Sequence, residues 1–552
     1  MRFYFFVYCL MACLCVTNIA EAQTVKDTAP RIVNIVNFIR LLEPRDSAIT
    51  EDVLYQTVVK QVEILKQYHL KGTFLLQYDA LMDARYQQLL SSLPKDEFEI
   101  GAWWEIPQPL VEHTGLQWRG RYPWDWRANI GFSTGYTQAE RTKLVDTYMN
   151  DFKKIFGDYP KSVASWFIDA FSLNYMHEKY HVVASANCKD QYGTDGYTLW
   201  GGYWNQAYYP SKLNAYMPAQ NQSKQIPVPV FRMLGSDPVR QYDNGLGNER
   251  QGVITLEPVY DFGGGDSAWV HWFFKQMVDG EPLAFAYTQA GQENSFTWAA
   301  MQKGFAIQMP LIAKLRDAQK LTVETLAESG KWFNEHYTVT PPTAVTVTKD
   351  LNGSDKKTVW YNSRFYRVNF LWDDSSLRIR DVHLFNENFP SVYETKPVIK
   401  NECTFFTLPF IDGYLWSDSS IFAGLRFKAI DNGKEILLKG DSVLVTKNIN
   451  GDLQITWQLN SAKGKFIIDC NERKFAVHFE GSPLKWYLDF LSANNAQLPF
   501  TNVQSKKITS LFEEFKYDII ADKGMFEKTP GKPFFKIQPA NNAVELRLDD
   551  GR

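Results

Sequence analysis

The chain has 552 residues, more than one hydrophobic core ordinarily organises, so two domains are expected. Its 59 basic and 62 acidic residues give a formal net charge of −3 with no long run of either sign, which leaves no electrostatic footprint for nucleic acid. Hydrophobic residues make up 45% and charged residues 22%, the balance of a globular protein.

In chain order, the first signal is Arg2 followed by an apolar run from Phe3 to about Val16 and then Ala20-Glu21-Ala22 before Gln23. This reads as a secretory signal, residues 1–22, cleaved after Ala22 and too short to span a membrane. A second reading of the same segment is the lipobox-like Leu10-Met11-Ala12-Cys13, which would leave a lipidated Cys13 at the new terminus. Either way the expected location is the periplasm or the cell surface, and nothing later in the chain is apolar enough to cross a bilayer. Cys9, Cys13 and Cys15 lie in the signal; Cys188, Cys403 and Cys470 lie beyond it, as a Cys403–Cys470 bridge or as free buried thiols, with no metal-type Cys pair.

From Arg31 onward, short apolar runs alternate with segments of helical period, the mark of β/α units on a mainly parallel sheet. Strands are predicted at Ile32–Phe38, Thr73–Gln77, Phe98–Trp104, Val163–Ile168, Val182–Ala186, Val228–Met233, Val253–Glu257 and Leu283–Tyr287. Helices are predicted over Glu51–Tyr68, which carries Val53, Leu54, Val58, Val59, Val62 and Leu65 at helical spacing, and over Gln138–Phe156 behind a capping Thr137. Two stretches fit neither pattern. Pro107–Tyr136 and Asn187–Gln225 are rich in Gly, Pro, Trp, Tyr and Asn, and each follows a strand, where barrel folds build their working face. After a helical segment over Phe296–Glu335 the pattern changes near Pro341-Pro342. From Val345 the chain shows short alternating strands with hairpin signals at Asp431-Asn432-Gly433 and Asn450-Gly451. The expected division is a (β/α) barrel over residues 23–338 and an all-β sandwich over 339–552.

The carboxylates fall at strand ends. Glu105 closes the Phe98–Trp104 strand, Asp169 closes Val163–Ile168, and Glu257 closes Val253–Leu256, so each is expected to point into the barrel mouth. Glycoside hydrolysis needs two carboxyls across the scissile bond, one protonated and one ionised, and these three are candidates for the pair. The competing reading of Asp169 is a helix cap before Phe171–Lys179. Aromatics make up 15% of the chain, including 17 Trp, and aromatic faces stack on sugar rings. Trp103, Trp104, Trp166, Asp195, Trp200 and Trp204 are therefore expected to shape substrate subsites. The alternative for the 188–205 loop is a self-packed cluster, and Trp118, Trp124 and Trp126 carry the same ambiguity. His177-Glu178-Lys179-Tyr180-His181 matches the zinc-protease pattern, but the helix must end near Tyr180, which places His181 in a turn and removes the shared face. Asp261-Phe262-Gly263-Gly264-Gly265-Asp266 reads either as a ligand loop or as a turn into the next helix.

At Thr73-Phe74, Glu99-Ile100-Gly101 and the strand ending at Asp169, the chain resembles the glycoside hydrolase/deacetylase superfamily of irregular seven-stranded β/α barrels. More closely, over nearly its full length, it resembles secreted proteins of glycan-degrading Gram-negative bacteria that pair such a barrel with a C-terminal β domain. The resemblance implies a carbohydrate substrate. It does not bring the superfamily's metal site, since the places of the paired Asp and of the H-x-x-x-H read Asn37-Phe38-Ile39-Arg40 and Trp103-Trp104-Glu105. The family-57-like nucleophile position falls at Asp169, and the acid position after the last strand offers Gln289, Gln292 and Glu293. The expectation is a cofactor-free, two-carboxylate glycosidase acting on a polysaccharide or oligosaccharide, with Asp169 as nucleophile or base and Glu257 or Glu105 as the acid. The alternatives are a glycan-binding barrel without activity and a deacetylase or esterase with rebuilt ligands.

Overall fold

The computed structural model describes residues 29–246, 250–461, 464–529 and 534–551. The expected signal segment, with both of its readings at Ala22 and Cys13, lies outside the described residues. Seven parallel strands form the body of the nine-stranded first sheet: β1 (Arg31–Ile39), β2 (Gly72–Leu76), β3 (Phe98–Trp103), β4 (Ser162–Ala164), β5 (Ala184–Asn187), β6 (Val230–Arg232) and β7 (Ala286–Ala290), with Thr322–Glu324 parallel to β1 and Ala207–Tyr208 antiparallel to β6. Their spatial order is β7-β1-β2-β3-β4-β5-β6. β1 shows why such strands read as unbroken apolar runs. It is buried on both faces from Ile32 to Ile39, as a parallel strand covered by helices outside and side chains inside must be.

The helices return the chain between strands. α1 (Glu51–Gln67) starts where the Thr50 hydroxyl accepts the Val53 N–H, and buries Leu54, Val58, Val62 and Leu65. α2 (Gln138–Phe156) opens with a reciprocal capping box between Thr137 and Glu140, and ends at Gly157, whose φ of 89° suits a residue without Cβ. α3 (Ala170–Tyr180), α4 (Ser267–Asp279), α5 (Thr297–Asp317) and α6 (Leu326–His336) complete the outer layer.

Between β6 and β7 the barrel is closed by a side chain. The Gln206 amide nitrogen donates to the Tyr287 carbonyl at 3.3 Å, and its oxygen accepts the Tyr287 N–H at 2.8 Å, while the Gln206 carbonyl accepts the Arg232 N–H at 3.2 Å. A glutamine amide thus replaces the missing backbone peptide of the ladder.

The predicted strand at Val253–Glu257 does not form; only Thr255 bridges, to Ser236. Instead its carbonyls receive the glycine turn that follows: the Gly264 N–H donates to the Thr255 carbonyl at 2.8 Å. A Cβ on Gly264 would lie 2.1 Å from the Leu256 carbonyl oxygen, so only glycine permits this approach. The 261–266 segment is accordingly a turn into α4, capped by Asp266 on the Trp269 N–H.

From Thr343 the chain is all-β, in two antiparallel sheets of ten and eight strands. Both predicted hairpins are present, joining Gly424–Asp431 to Lys434–Leu437 and Ser442–Lys447 to Leu453–Gln458. Positive φ at Asn432 and Gly433 gives the first its tight turn. Cys188, Cys403 and Cys470 are free and buried.

The Asn187–Gln225 insertion, expected to be irregular, carries strands. Gln191–Thr194 and Tyr197–Trp200 form a hairpin, and Tyr197–Trp200 pairs in parallel with Cys403–Phe406 of the all-β region. The two regions meet at this small sheet. Trp204 stacks on Trp360 with centroids 4.2 Å apart, and the Arg367 guanidinium joins Asp190 to Asp381. These residues are all essentially buried.

Candidate active site

A cleft of about 590 Å³ opens beyond the C-terminal ends of the barrel strands, the position where α/β sheets commonly bind ligands. Arg40 follows β1, Glu105 follows β3, Cys188 and Lys189 follow β5, Leu234 follows β6, and Glu293 and Ser295 follow β7; all line it. Glu257 reaches the same space from the glycine-supported turn.

Arg40 organises one wall. Its guanidinium grips Glu105 through two bonds, Nε to Oε2 at 2.9 Å and Nη2 to Oε1 at 2.7 Å, and lies 2.8 Å from Glu293 through Nη1. The Trp124 ring covers it at 4.1 Å. One buried cation shared by two buried carboxylates is the arrangement that makes burying them tolerable. Beside it Arg45 binds Glu43 at 2.7 Å and holds the Glu43 carboxyl below its usual range, against the opposing effect of burial.

Glu293 differs from its neighbours. Burial, the largest influence, pushes its pKa up, with Arg40 and the Ser295 hydroxyl at 2.5 Å opposing the rise and Glu105 adding to it. Glu257, 6% exposed, is held by two donors, the Thr255 hydroxyl at 2.7 Å and the Gln292 amide at 2.9 Å. Its negative charge, ahead of burial, raises the pKa of the Tyr260 hydroxyl, which also lines the cleft. Lys189 is buried beside it with Nζ on Gln191 Oε1 at 2.9 Å. The burial that would discharge it is outweighed by Cys188, Glu257 and Asp195, so its pKa is raised. The cleft thus holds carboxyls of two kinds, one in a setting that favours the proton and one presented to hydrogen-bond donors.

Of the residues expected at the site, Glu105, Glu257, Trp166 and Asp195 line the cleft, and Trp124 and Trp126 join them. Asp169 does not. It is fully buried as the cap of α3, where Oδ1 accepts the Ser172 N–H at 2.8 Å and Arg141 Nη1 at 3.0 Å and Oδ2 accepts the Ser133 hydroxyl at 2.5 Å. β4 ends at Ala164, five residues before Asp169, so the chain has already turned into the helix. Trp103 lies within the barrel core, stacked on Phe38 at 4.1 Å and edge-on to Trp166. Trp104 points the other way, into the layer between sheet and helices against Tyr148, as strand alternation requires. Trp200, bonded through Nε1 to Asp412 at 2.7 Å, and Trp204, stacked on Trp360, pack against the all-β region rather than the cleft.

Arg40, Lys189 and Glu293 line the cleft besides the acids read at strand ends; Arg40 and Glu293 follow β1 and β7 as Glu105 follows β3, and Glu293 is one of the residues the resemblance offered for the acid position. The deacetylase metal set has no counterpart here: the place of the acidic pair presents the Asn37 amide and the Arg40 cation, and among the described residues no three His, Cys, Asp or Glu groups converge as ligands. His181 sits in the left-handed turn closing α3, with φ 60°, while His177 Nδ1 faces the Val182 carbonyl at 2.9 Å, so the two rings share no helical face.

Residues 128–308 match the model of a family, DUF3863, described as a domain of unknown function with a solved structure. No curated protein matches the sequence. Among solved structures, a protein from Parabacteroides distasonis, provisionally assigned as a glycoside hydrolase/deacetylase, superposes with a TM-score of 0.53 at 16% identity, covering 69% of this chain and 91% of that one. A provisionally assigned polysaccharide deacetylase from Mycobacterium smegmatis covers 55% of this chain and 95% of its own at 13% identity and TM-score 0.31. A 4-alpha-glucanotransferase from Thermococcus litoralis covers 94% and 97% at 10% identity and TM-score 0.30. The first of these likenesses and the strand order agree: the fold is a glycoside hydrolase/deacetylase-type α/β barrel, nearly closed, followed by an all-β region in antiparallel sheets.

Proposed function

We propose that the protein is a carbohydrate-active enzyme that hydrolyses glycosidic bonds, with Glu293 as the proton donor and Glu257 as the ionised carboxylate. The observation that carries this reading is the pairing of the two inside one tryptophan-lined cleft: burial raises the pKa of Glu293, and Glu257 is anchored by the Thr255 hydroxyl and the Gln292 amide. A buried acid disposed to hold its proton, in one cleft with a second carboxylate that serves as nucleophile or base, is the division of labour glycosidases use. The provisional assignment of the Parabacteroides protein is consistent with a carbohydrate substrate. Glu105, engaged by Arg40 on both oxygens, is assigned to positioning Arg40 and, through it, Glu293. Trp124, Trp126 and Trp166 would stack sugar rings, and Asp195 would hydrogen-bond at the rim. The proposal includes export by residues 1–22 to the periplasm or cell surface and the division into units 23–338 and 339–552.

The test is a digest of a broad glycan panel by the wild type, Glu257→Gln and Glu293→Gln, following new reducing ends and free acetate. Reducing ends that vanish in both variants are expected. Acetate without reducing ends would replace the proposal with esterase chemistry, and binding without either product would replace it with a lectin-like role.

A further inference from the structure

The hairpin that walls the cleft has a second side. Gln191, Thr194 and Tyr197 line the cleft, whereas Tyr192 and Trp200 of the same two strands line a separate groove of about 580 Å³. Gln191 and Tyr192 diverge by ordinary strand alternation, and the register shift between Gln191 and Thr194, with Gly193 at φ 64°, returns Thr194 to the cleft side. One three-stranded sheet therefore divides two cavities, and its third strand, Cys403–Phe406, gives Phe406 to the groove.

The chemistry of the groove is specific in what it lacks. No lysine or arginine is among its lining residues, which rules against phosphate, sulfate or uronate recognition. Partly exposed rings, Tyr192, Phe406 and Phe512, stand on its walls, and the short polar side chains Asn495, Gln497 and Ser417 stand between them. His383, 1% exposed, lines it as well: its Nδ1 meets the Thr407 hydroxyl at 3.0 Å, and its Nε2 faces the Asp412 and Asp381 carboxylates at 3.5 and 3.7 Å. Its two acidic lining residues are Asp412, whose Oδ2 accepts the Trp200 Nε1–H at 2.7 Å, and Glu513, and apolar faces interspersed with amide and hydroxyl groups complement the C–H faces and hydroxyl edges of an uncharged sugar chain.

We infer that this groove is a second carbohydrate site, built for a neutral oligosaccharide and separate from the cleft. Its occupant touches Tyr192 on the back of the hairpin whose front presents Gln191 and Thr194 to the cleft.

The test is isothermal titration of the full chain carrying Glu257→Gln, which leaves bound sugar uncleaved, with cellohexaose, xylohexaose, mannohexaose and maltohexaose, and with trigalacturonate as the charged counterpart. At least one neutral hexamer is expected to bind, and adding Asn495→Ala and Gln497→Ala, both on exposed positions that the fold does not need, is expected to weaken a binding component by about tenfold. Trigalacturonate is expected to give no component sensitive to those two substitutions. The inference is overturned if none of the four hexamers binds, if the double substitution changes no component, or if trigalacturonate occupies the same component. Hydrolysis is not read in this experiment, so failure of the cleft chemistry leaves its outcome intact.

Discussion

Replacing Asp169 by asparagine separates a structural carboxylate from a catalytic one. The amide oxygen introduced by Asp169→Asn keeps the Ser172 N–H, so the α3 cap survives, and the Ser133 hydroxyl can turn to accept from the new NH₂ group. What is lost is the negative charge facing Arg141, whose guanidinium is 1% exposed but also donates to the carbonyls of Ser133, Tyr136 and Tyr393. Breaking a buried ion pair costs about 3–5 kcal/mol when the survivor is stranded. With those carbonyls still in place, the loss is nearer that of one charged hydrogen bond, about 2 kcal/mol. Asp169→Ala adds the cap, about 1 kcal/mol more. Urea unfolding read by tryptophan fluorescence measures both, and glycan hydrolysis per folded molecule is expected to stay at the wild-type level. An Asp169→Asn protein as stable as wild type whose hydrolysis falls by about 10²–10⁴-fold would refute the reasoning and return Asp169 to the chemistry.

The same corner sets a pH dependence. Glu394, from the all-β region, accepts the Ala170 and Phe171 N–H groups at the start of α3, and burial, then Asp169, pushes its pKa up to about 8. A carboxyl that binds its proton more tightly when folded contributes stability below its ordinary range that is lost as pH rises toward 8. Stability attributable to Glu394 is therefore expected to decline between pH 4.5 and about 8, and Glu394→Gln to flatten that decline in unfolding curves collected across the range. Arg40→Met strands Glu105 and Glu293 and should cost about 3–5 kcal/mol by urea unfolding, while Arg40→Lys recovers only part because one ammonium cannot grip both carboxylates. Gln206→Ala orphans the N–H and carbonyl of Tyr287, at about 1–3 kcal/mol for each group, and should speed hydrogen exchange at the Tyr287 amide more than at Tyr208. Trp204→Ala removes the stack on Trp360 and should lower stability by about 3–5 kcal/mol without changing KM on any substrate, since the ring lies away from the cleft.

Strand periodicity made the barrel legible. Buried parallel strands such as β1 and β2 leave apolar runs, and helices such as α2 advertise themselves through caps, so their ends fall within a residue or two of expectation. Val253–Glu257 has the same composition as a strand but spends its carbonyls on a glycine turn, a tertiary choice that local pattern does not encode. The rule that carboxylates at strand ends face the mouth describes Glu105; Glu257 reaches the cleft from a turn rather than a strand end, and Asp169 does not reach it, because β4 is short and the residues after Ala164 have already turned toward α3. Trp200 and Trp204 show a deeper limit: an aromatic, glycine-rich loop has the same composition whether it meets a sugar or another part of the same chain, and only the partner strand at Cys403–Phe406 decides. Arg40 was legible as the residue after β1, but its meaning required the two carboxylates it joins.

The parallel pairing of Tyr197–Trp200 with Cys403–Phe406 has a consequence for how the protein comes into being. During synthesis the barrel strands can all emerge and close while the hairpin that walls the cleft still lacks its neighbour, and that wall is completed only after Phe406 has left the ribosome. A chain stopped before this point would hold most of a barrel and an unfinished pocket. Loss of the C-terminal region by truncation or recombination is thus expected to disable the site even though the acids of the cleft, Glu105, Glu257 and Glu293, all come from the first part of the sequence.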